Sequence, residues 1–159
     1  MEDRIISFLP TLDEVLSLAP HLRCEDVMEA KALGCIDIEQ MFIQTYVYAD
    51  EIYALKMNDQ LIGVFGVQKL PTNSKVGMVF CFGNDNLFKK SVTITKIAIK
   101  YFKKWFEKYE MLSNVASIEN EKPIKWLKFL GATFYEKMKI NGNDFLPFVI
   151  TKENLLKKQ

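Results

Sequence analysis

The sequence predicts an α/β (α+β) domain, a mixed central sheet of about six to seven strands with helices on both faces. Three observations carry this. Residues 52–70 hold two apolar runs, IYALKM and LIGVFGVQKL, joined by the polar turn Asn58-Asp59-Gln60, which is the pattern of a hairpin. Residues 92–109 place Ile94, Ile97, Ala98, Tyr101, Phe102, Trp105 and Tyr109 at three- and four-residue spacing, with Lys96, Lys100, Lys103 and Lys104 on another face. That is a long amphipathic helix. Near the C-terminus, NEKPIKWLKFLGATF (Asn120–Phe134) reads as a short helix that stops on a glycine and runs straight into a strand.

The elements follow in order. Arg4–Phe8 is a short first strand. Cys24–Leu33 is a helix with Glu25 or Asp26 near its start and Gly34 as its stop. Ile38–Tyr48 is a second helix, with Asp37 as N-cap. The hairpin comes next, then a loop PTNS, then VGMVFCFG (Val76–Gly83) as a buried strand of the same sheet. After GNDNLFKKS the long helix runs from Val92 to Tyr109, with Ser91 suited to cap it. Leu112–Ile118 is a strand. Pro123–Leu130 is a helix whose proline lies in the first turn, where a missing N–H costs little. Its Trp126, Phe129 and Leu130 face the core. Thr133–Met138 and Phe145–Thr151 are strands around the turn Asn141-Gly142.

Composition sets the bounds. A chain of 159 residues, 49% apolar, is a single domain spanning 1–159 with a real core and little disorder. No apolar run approaches the ~20 residues of a membrane span. The acidic start MEDRIISFLPTLDE lacks the basic region and apolar core of a signal peptide. A soluble protein of the cytoplasm is expected. The three cysteines, Cys24, Cys35 and Cys81, form no CxxC pair, and His21 is the single histidine. A structural metal site and a disulfide framework are disfavoured. Reduced, mostly buried thiols are expected.

Net charge is +1 but unevenly divided: residues 1–60 carry 4 Lys+Arg against 12 Asp+Glu, and residues 61–159 carry 17 against 8. A basic half suits an anionic ligand. Only Arg4 and Arg23 are arginine. Forked base contacts favour arginine, so specific nucleic-acid binding through the lysine face of the long helix is disfavoured.

The element order and the Asn120–Phe134 segment resemble the GNAT superfamily of acyl-CoA-dependent N-acetyltransferases, over nearly the whole chain. In that family the fourth strand ends at a splayed gap in the sheet, followed by a phosphate-binding loop and a long helix. Here these correspond to Val76–Gly83, the loop to Ser91, and Val92–Tyr109. The Asn120 to Gly131 spacing matches the family's N-x-x-[AS]…G pattern. A narrower resemblance is to GNAT-like proteins of tailed phages, including internal virion proteins of short-tailed phages. It rests on EAKALG (Glu29–Gly34), LIGVFGV (Leu61–Val67), GNDNL (Gly83–Leu87), Asn120–Ala132 and VITK (Val149–Lys152).

The resemblance implies acetyl-CoA as cofactor and no metal. It places Phe80, Cys81 and Phe82 along the thioester arm, with Phe88 beside them. Lys89, Lys90 and the N–H groups near Ser91 would hold the pyrophosphate. Asn120 has two readings: a cap or strand-end partner, or a contact to the cofactor arm. Asp85 and Glu119 are the nearest carboxylates for a base, and Asp85 is the candidate catalytic residue. Cys81 reads as a core residue, since a nucleophilic cysteine wants a neighbouring base or positive potential.

Two departures from the family pattern stand out. The loop after Gly83, NDNLFKKS, has no glycine for close backbone approach. The position of the family's tyrosine acid, seven residues after Asn120, is Leu127. Two functions therefore compete: a phage-encoded N-acetyltransferase of unknown acceptor, and a catalytically degenerate internal virion, assembly or host-interaction protein. The first places the protein in the host cytoplasm, the second in the virion or against a protein partner. An open gap between Val76–Gly83 and Leu112–Ile118 favours the enzyme. A gap filled by Phe80, Phe82 or Phe88 favours the relic.

Overall fold

A computed structural model describes residues 4–156. The strands are β1 (Ile5–Phe8), β2 (Glu51–Met57), β3 (Gln60–Leu70), β4 (Asn73–Gly83), β5 (Met111–Ser117), β6 (Thr133–Phe134), β7 (Met138–Ile140) and β8 (Asn143–Thr151). The helices are α1 (Leu12–Leu16), α2 (Cys24–Ala32), α3 (Ile38–Tyr48), α4 (Ser91–Trp105), α5 (Glu121–Leu130) and α6 (Lys152–Leu156). The sheet order is β1-β2-β3-β4-β5-β8-β6, with β7 also on β8, and the β4–β5 pair is parallel while the others are antiparallel. The expected mixed sheet covered on both faces is what forms, with one strand more than expected.

Strand alternation sorts the core into two layers. On one face Ala54, Val64, Phe80 and Phe82 meet Val15 of α1, Leu18 just after it, and Phe42 of α3. On the other, Leu55, Phe65, Val67 and Val79 meet Ile94, Ala98, Phe102 and Trp105 of α4, with Ile124, Leu127 and Leu130 of α5. Gly77 permits a close approach between β4 and its neighbours. A Cβ there would stand 2.7 Å from Val67 Cγ2 and 3.0 Å from Tyr109 Cδ2.

Several elements depart from the expectations, each for a local reason. α1 was not expected; it starts on a capping box in which Thr11 Oγ1 accepts from Glu14 N at 3.2 Å and Glu14 Oε1 accepts from Thr11 N at 3.0 Å. β4 begins at Asn73, so most of the expected loop PTNS is strand. α4 ends at Trp105 because Glu107 and Lys108 tighten onto Lys104 and Trp105 through i→i−3 bonds. Tyr109 remains buried beyond the helix end. The strand expected over 133–138 is broken into β6 and β7. Opposite the break lies Pro147 of β8, which has no N–H to give the ladder, and only its carbonyl is used, by Tyr135 N at 2.9 Å. Asp37 does cap α3, accepting from Glu39 N at 2.9 Å. Phe129 is 60% exposed rather than core-facing, whereas Leu130 is fully buried.

Candidate active site

The site begins where the sheet splits. β4 and β5 pair through only Val76–Met111, Gly77–Leu112 and Met78–Ser113. Beyond Met78, β4 stays with β3 and β5 stays with β8, and the two strands part. Asn114 sits in the fork: its Nδ2 donates to Val79 O at 2.7 Å, and its Oδ1 accepts from Val115 N at 2.8 Å. Along β4, alternate residues turn their peptide groups away from β3. Val79 O faces the fork, and Gly83 uses both its N–H and its carbonyl on the far side. Cys81, midway between them, therefore turns its N–H and C=O into the gap.

α2 bridges the open end of the fork. Asp26 Oδ2 accepts from Gly83 N, at the end of β4, at 3.1 Å. Arg23 N donates to Gly83 O at 2.9 Å. Glu29 Oε1 accepts from Ser117 N, at the end of β5, at 2.7 Å. The i, i+3 spacing of Asp26 and Glu29 puts both carboxylates on one helix face, where each reaches a different strand.

A buried polar cluster joins these contacts. Arg23 Nη1 donates to Asp26 Oδ1 at 3.0 Å, and Nη2 to Asn120 Oδ1 at 3.3 Å. Nη2 also pairs with the exposed Glu25 at 3.0 Å. Asn120 Nδ2 donates to Asp26 Oδ1 at 3.2 Å and to Glu29 Oε2 at 2.8 Å. The Arg23 guanidinium lies 4.9 Å over the Phe88 ring, which meets Trp126 edge-on at 6.3 Å. Burial pushes the Asp26 carboxyl up, against the pull of Arg23, the Gly83 N–H and Asn120. Burial likewise pushes Glu29 up, against the Ser117 N–H and Asn120.

A cavity of about 400 Å³ occupies the fork. It passes between the layers, from Ala30, Leu33 and Met41 on the α2–α3 side to Ile94, Ala98 and Trp105 beneath α4. Phe80, Phe82 and Phe88 wall it without filling it. Phe82 packs edge-on against Phe42 at 5.3 Å and lies 6.1 Å from Phe80, so these rings lean toward α3. Cys81 is exposed to the cavity rather than packed in the core, and the expectation of mostly buried thiols fails: Cys24 is exposed and Cys35 half-buried. The cavity is itself walled by protein. Burial, then the nearby Asp26 charge, pushes the Cys81 thiol up to about 12, with Arg23 opposing. It stays a neutral thiol at physiological pH.

The residues singled out from sequence fall into three groups. Phe80, Cys81, Phe82 and Phe88 line the cavity. Lys89, Lys90 and Ser91 lie outside its lining, exposed at the start of α4. Ser91 is not the cap: it is the first helical residue, Lys90 occupies the cap position, and no side chain caps the helix. Asn120 is buried and stands at the α5 cap position, but its side chain makes no cap bond; the amide is spent on Arg23, Asp26 and Glu29. Asp85 is exposed on the loop after β4 and outside the cavity lining. Sequence reasoning passed over Arg23, Asp26, Glu29 and Asn114 as site residues. The available signals were the Asp26-x-x-Glu29 spacing and an arginine at position 23 in a chain whose cations are nearly all lysine. Among the described residues no group of three His, Cys, Asp or Glu could hold a metal, and no helix is long and apolar enough to cross a membrane.

Neither a family model nor a curated protein sequence matches the chain. Solved structures do. Aminoglycoside acetyltransferase AAC(6')-Ib, determined with ribostamycin and coenzyme A, superposes with a TM-score of 0.73 at 14% identity, covering 99% of this chain and 98% of that one. The chain has the GNAT acetyltransferase fold. A GNAT-family acetyltransferase from Streptococcus pneumoniae matches with a TM-score of 0.64 at 10% identity, over 93% of this chain and 99% of its own. An uncharacterized protein from Bacillus halodurans gives 0.73 at 12%, over 98% and 88%. At these identities the likeness concerns the GNAT fold.

Proposed function

We propose that the protein is an acyl-CoA-dependent N-acyltransferase, with acetyl-CoA the simplest donor. One observation carries this: the open cavity at the β4–β5 fork, flanked by a free strand edge, the buried Asp26 carboxylate and the half-buried Glu29. A coenzyme A thioester fits the groups present. The peptide of Cys81 offers a pairing edge to an amide-bearing arm. The first turn of α4 has N–H groups without a side-chain cap and carries Lys89 and Lys90 beside it, which suits a pyrophosphate.

When bound, the cofactor supplies an activated acyl carbonyl. The chain's own residues do the rest. The Cys81 N–H, turned into the gap, is a donor for negative charge developing on a carbonyl oxygen. Glu29 lines the cavity with its carboxyl pushed up by burial, which suits a base that takes the proton of an incoming amine near neutral pH. We assign that role to Glu29 rather than to Asp85, which lies outside the cavity. Asp26 and Asn120 hold Glu29 and Arg23 in place. Leu127 is buried in the core and offers no proton, so this position would supply no acid to a departing thiolate.

A second reading is favoured by Leu127 and by the fully engaged Asn120 amide: a phage-encoded, catalytically inert GNAT fold serving as an internal virion or host-interaction component. Thermal-shift titration with acetyl-CoA, CoA and phosphate separates the two. A ligand at ~100 times its dissociation constant adds ~2.7 kcal/mol. A rise of several degrees with acetyl-CoA but not phosphate is expected. No shift at millimolar acetyl-CoA would leave the second reading.

A further inference from the structure

We propose that Asn114 is the wedge that keeps the fork open: its side-chain carboxamide stands in the place of the next β4–β5 ladder bond, and this leaves the Cys81 peptide free for a ligand. The wedge does not rest on the acyltransferase reading; the use of the freed peptide by a cofactor does.

In a parallel ladder a bonded residue gives its N–H and its C=O to two residues of the neighbouring strand that lie two apart. The β4–β5 register ends at Met78–Ser113. Carried on, it would join Val79 C=O to Val115 N–H, then Cys81 N–H to Val115 C=O, then Cys81 C=O to Ser117 N–H. A single side chain takes both halves of the first of these bonds. Asn114 Nδ2 donates to Val79 O at 2.7 Å, and Asn114 Oδ1 accepts from Val115 N at 2.8 Å. A carboxamide offers the donor and the acceptor of a peptide unit. Both ladder groups are therefore satisfied while the strands stand apart, and closing the fork gains them nothing. At the far end α2 takes the remaining groups. Ser117 N donates to Glu29 Oε1 at 2.7 Å, and Gly83 N to Asp26 Oδ2 at 3.1 Å. Between these two blocks lies the Cys81 peptide.

Neither strand carries an irregularity that would part them. β-bulges often end pairing beside active sites. Here β3–β4 keeps its register from Gly63–Gly83 to Lys69–Gly77, with a shift only at Lys69/Leu70, and β5–β8 keeps its register throughout. The parting falls instead at the residue whose side chain lies between the strands. Asn114 acts through the β4 and β5 backbones, so it is a positioning residue.

NMR on the full-length protein tests this. In wild type, a scalar coupling across the hydrogen bond should link Asn114 Nδ2 to the Val79 carbonyl carbon. Asn114→Ala removes the wedge. The coupling should then run from Val115 N to the Val79 carbonyl carbon, and the Cys81 amide should exchange with solvent roughly tenfold more slowly, the protection of one added hydrogen bond. CoA affinity should fall by a similar factor. Asn114→Asp keeps the shape and the acceptor but has no donor at neutral pH. It should lose the Nδ2 coupling and keep the wild-type exchange rate at Cys81, an outcome that general destabilisation would not give. Absence of the Asn114–Val79 coupling in wild type would overturn the wedge, whether or not the variants fold. A folded Asn114→Ala protein with unchanged Cys81 exchange would overturn it as well. Slowed Cys81 exchange in Asn114→Ala, with no CoA binding by wild type, would uphold the wedge and overturn the acyltransferase reading.

Discussion

Glu29 has one hydrogen bond on each oxygen, from Ser117 N and Asn120 Nδ2, and lone pairs left to meet an amine. Replacing it with glutamine keeps the shape and removes the base. Glu29→Gln should lower kcat/KM by roughly 10²–10⁴-fold and abolish the acidic limb of the pH–rate profile, with circular dichroism unchanged. The same carboxyls shape stability. Asp26 and Glu29 hold their protons more tightly in the folded chain than their ordinary values of 3.8 and 4.5. In the window just above those values the folded state binds more protons than the unfolded one, so these two groups lose stability as pH rises. Wild type should lose more of its thermal midpoint across that window than the Asp26→Asn/Glu29→Gln double variant; parallel curves would contradict the assignment. Asn120 serves three charged partners at once, so Asn120→Ala should destabilise by about 1–3 kcal/mol in chemical denaturation.

At the scale of elements, the helix stops are as consequential as the starts. Gly131 closes α5 at φ 103°, and a Cβ there would stand 2.7 Å from the Asn154 carbonyl oxygen. Gly131→Ala should cost more than the ~1 kcal/mol typical of a strained left-handed cap, measured by urea unfolding. The sequence made α2, α3, α5 and the β2–β3 hairpin legible because their periodicity and stop residues agree. It did not reveal α1, whose five residues are too few for a periodic pattern, although Thr11 and Glu14 spell out its cap. It did not reveal the β6–β7 break either, because the cause, Pro147, lies on the facing strand. The candidate site was half legible. The family resemblance marked the strand that carries Phe80–Phe82, and these residues line the cavity. Asp26 and Glu29 were not, because their importance depends on which strand ends α2 lies across, and pairing at that distance has no local signature.

Across the whole molecule the two kinds of ligand contact separate by physics. The lysines at the start of α4 are exposed and, on the acyltransferase reading, would act through charge that salt screens. The fork cavity, lined mostly by apolar side chains, would act through burial. Raising ionic strength from about 0.05 to 0.5 M should weaken CoA binding and leave the binding of pantetheine, which carries no phosphate, nearly unchanged. Loss of both together would mean that the lysines and the cavity are not two contributions to one site.

The fork has a further consequence for the architecture of the chain. Strands β1–β4 are built from residues 5–83 and strands β5–β8 from residues 111–151, so each half of the sheet is one uninterrupted stretch of polypeptide. Their ladder is three residue pairs long. The seam proposed to receive the ligand is thus also the natural place to divide the protein. Cut between Asn84 and Leu87, the chain yields two fragments, each carrying its own half-sheet; the first keeps α2 with its bonds to Gly83, and the bonds to Ser117 and Asn120 cross the cut. Reassembly of such fragments would be governed by whatever occupies the seam, which makes the fold a ready frame for a ligand-gated split reporter.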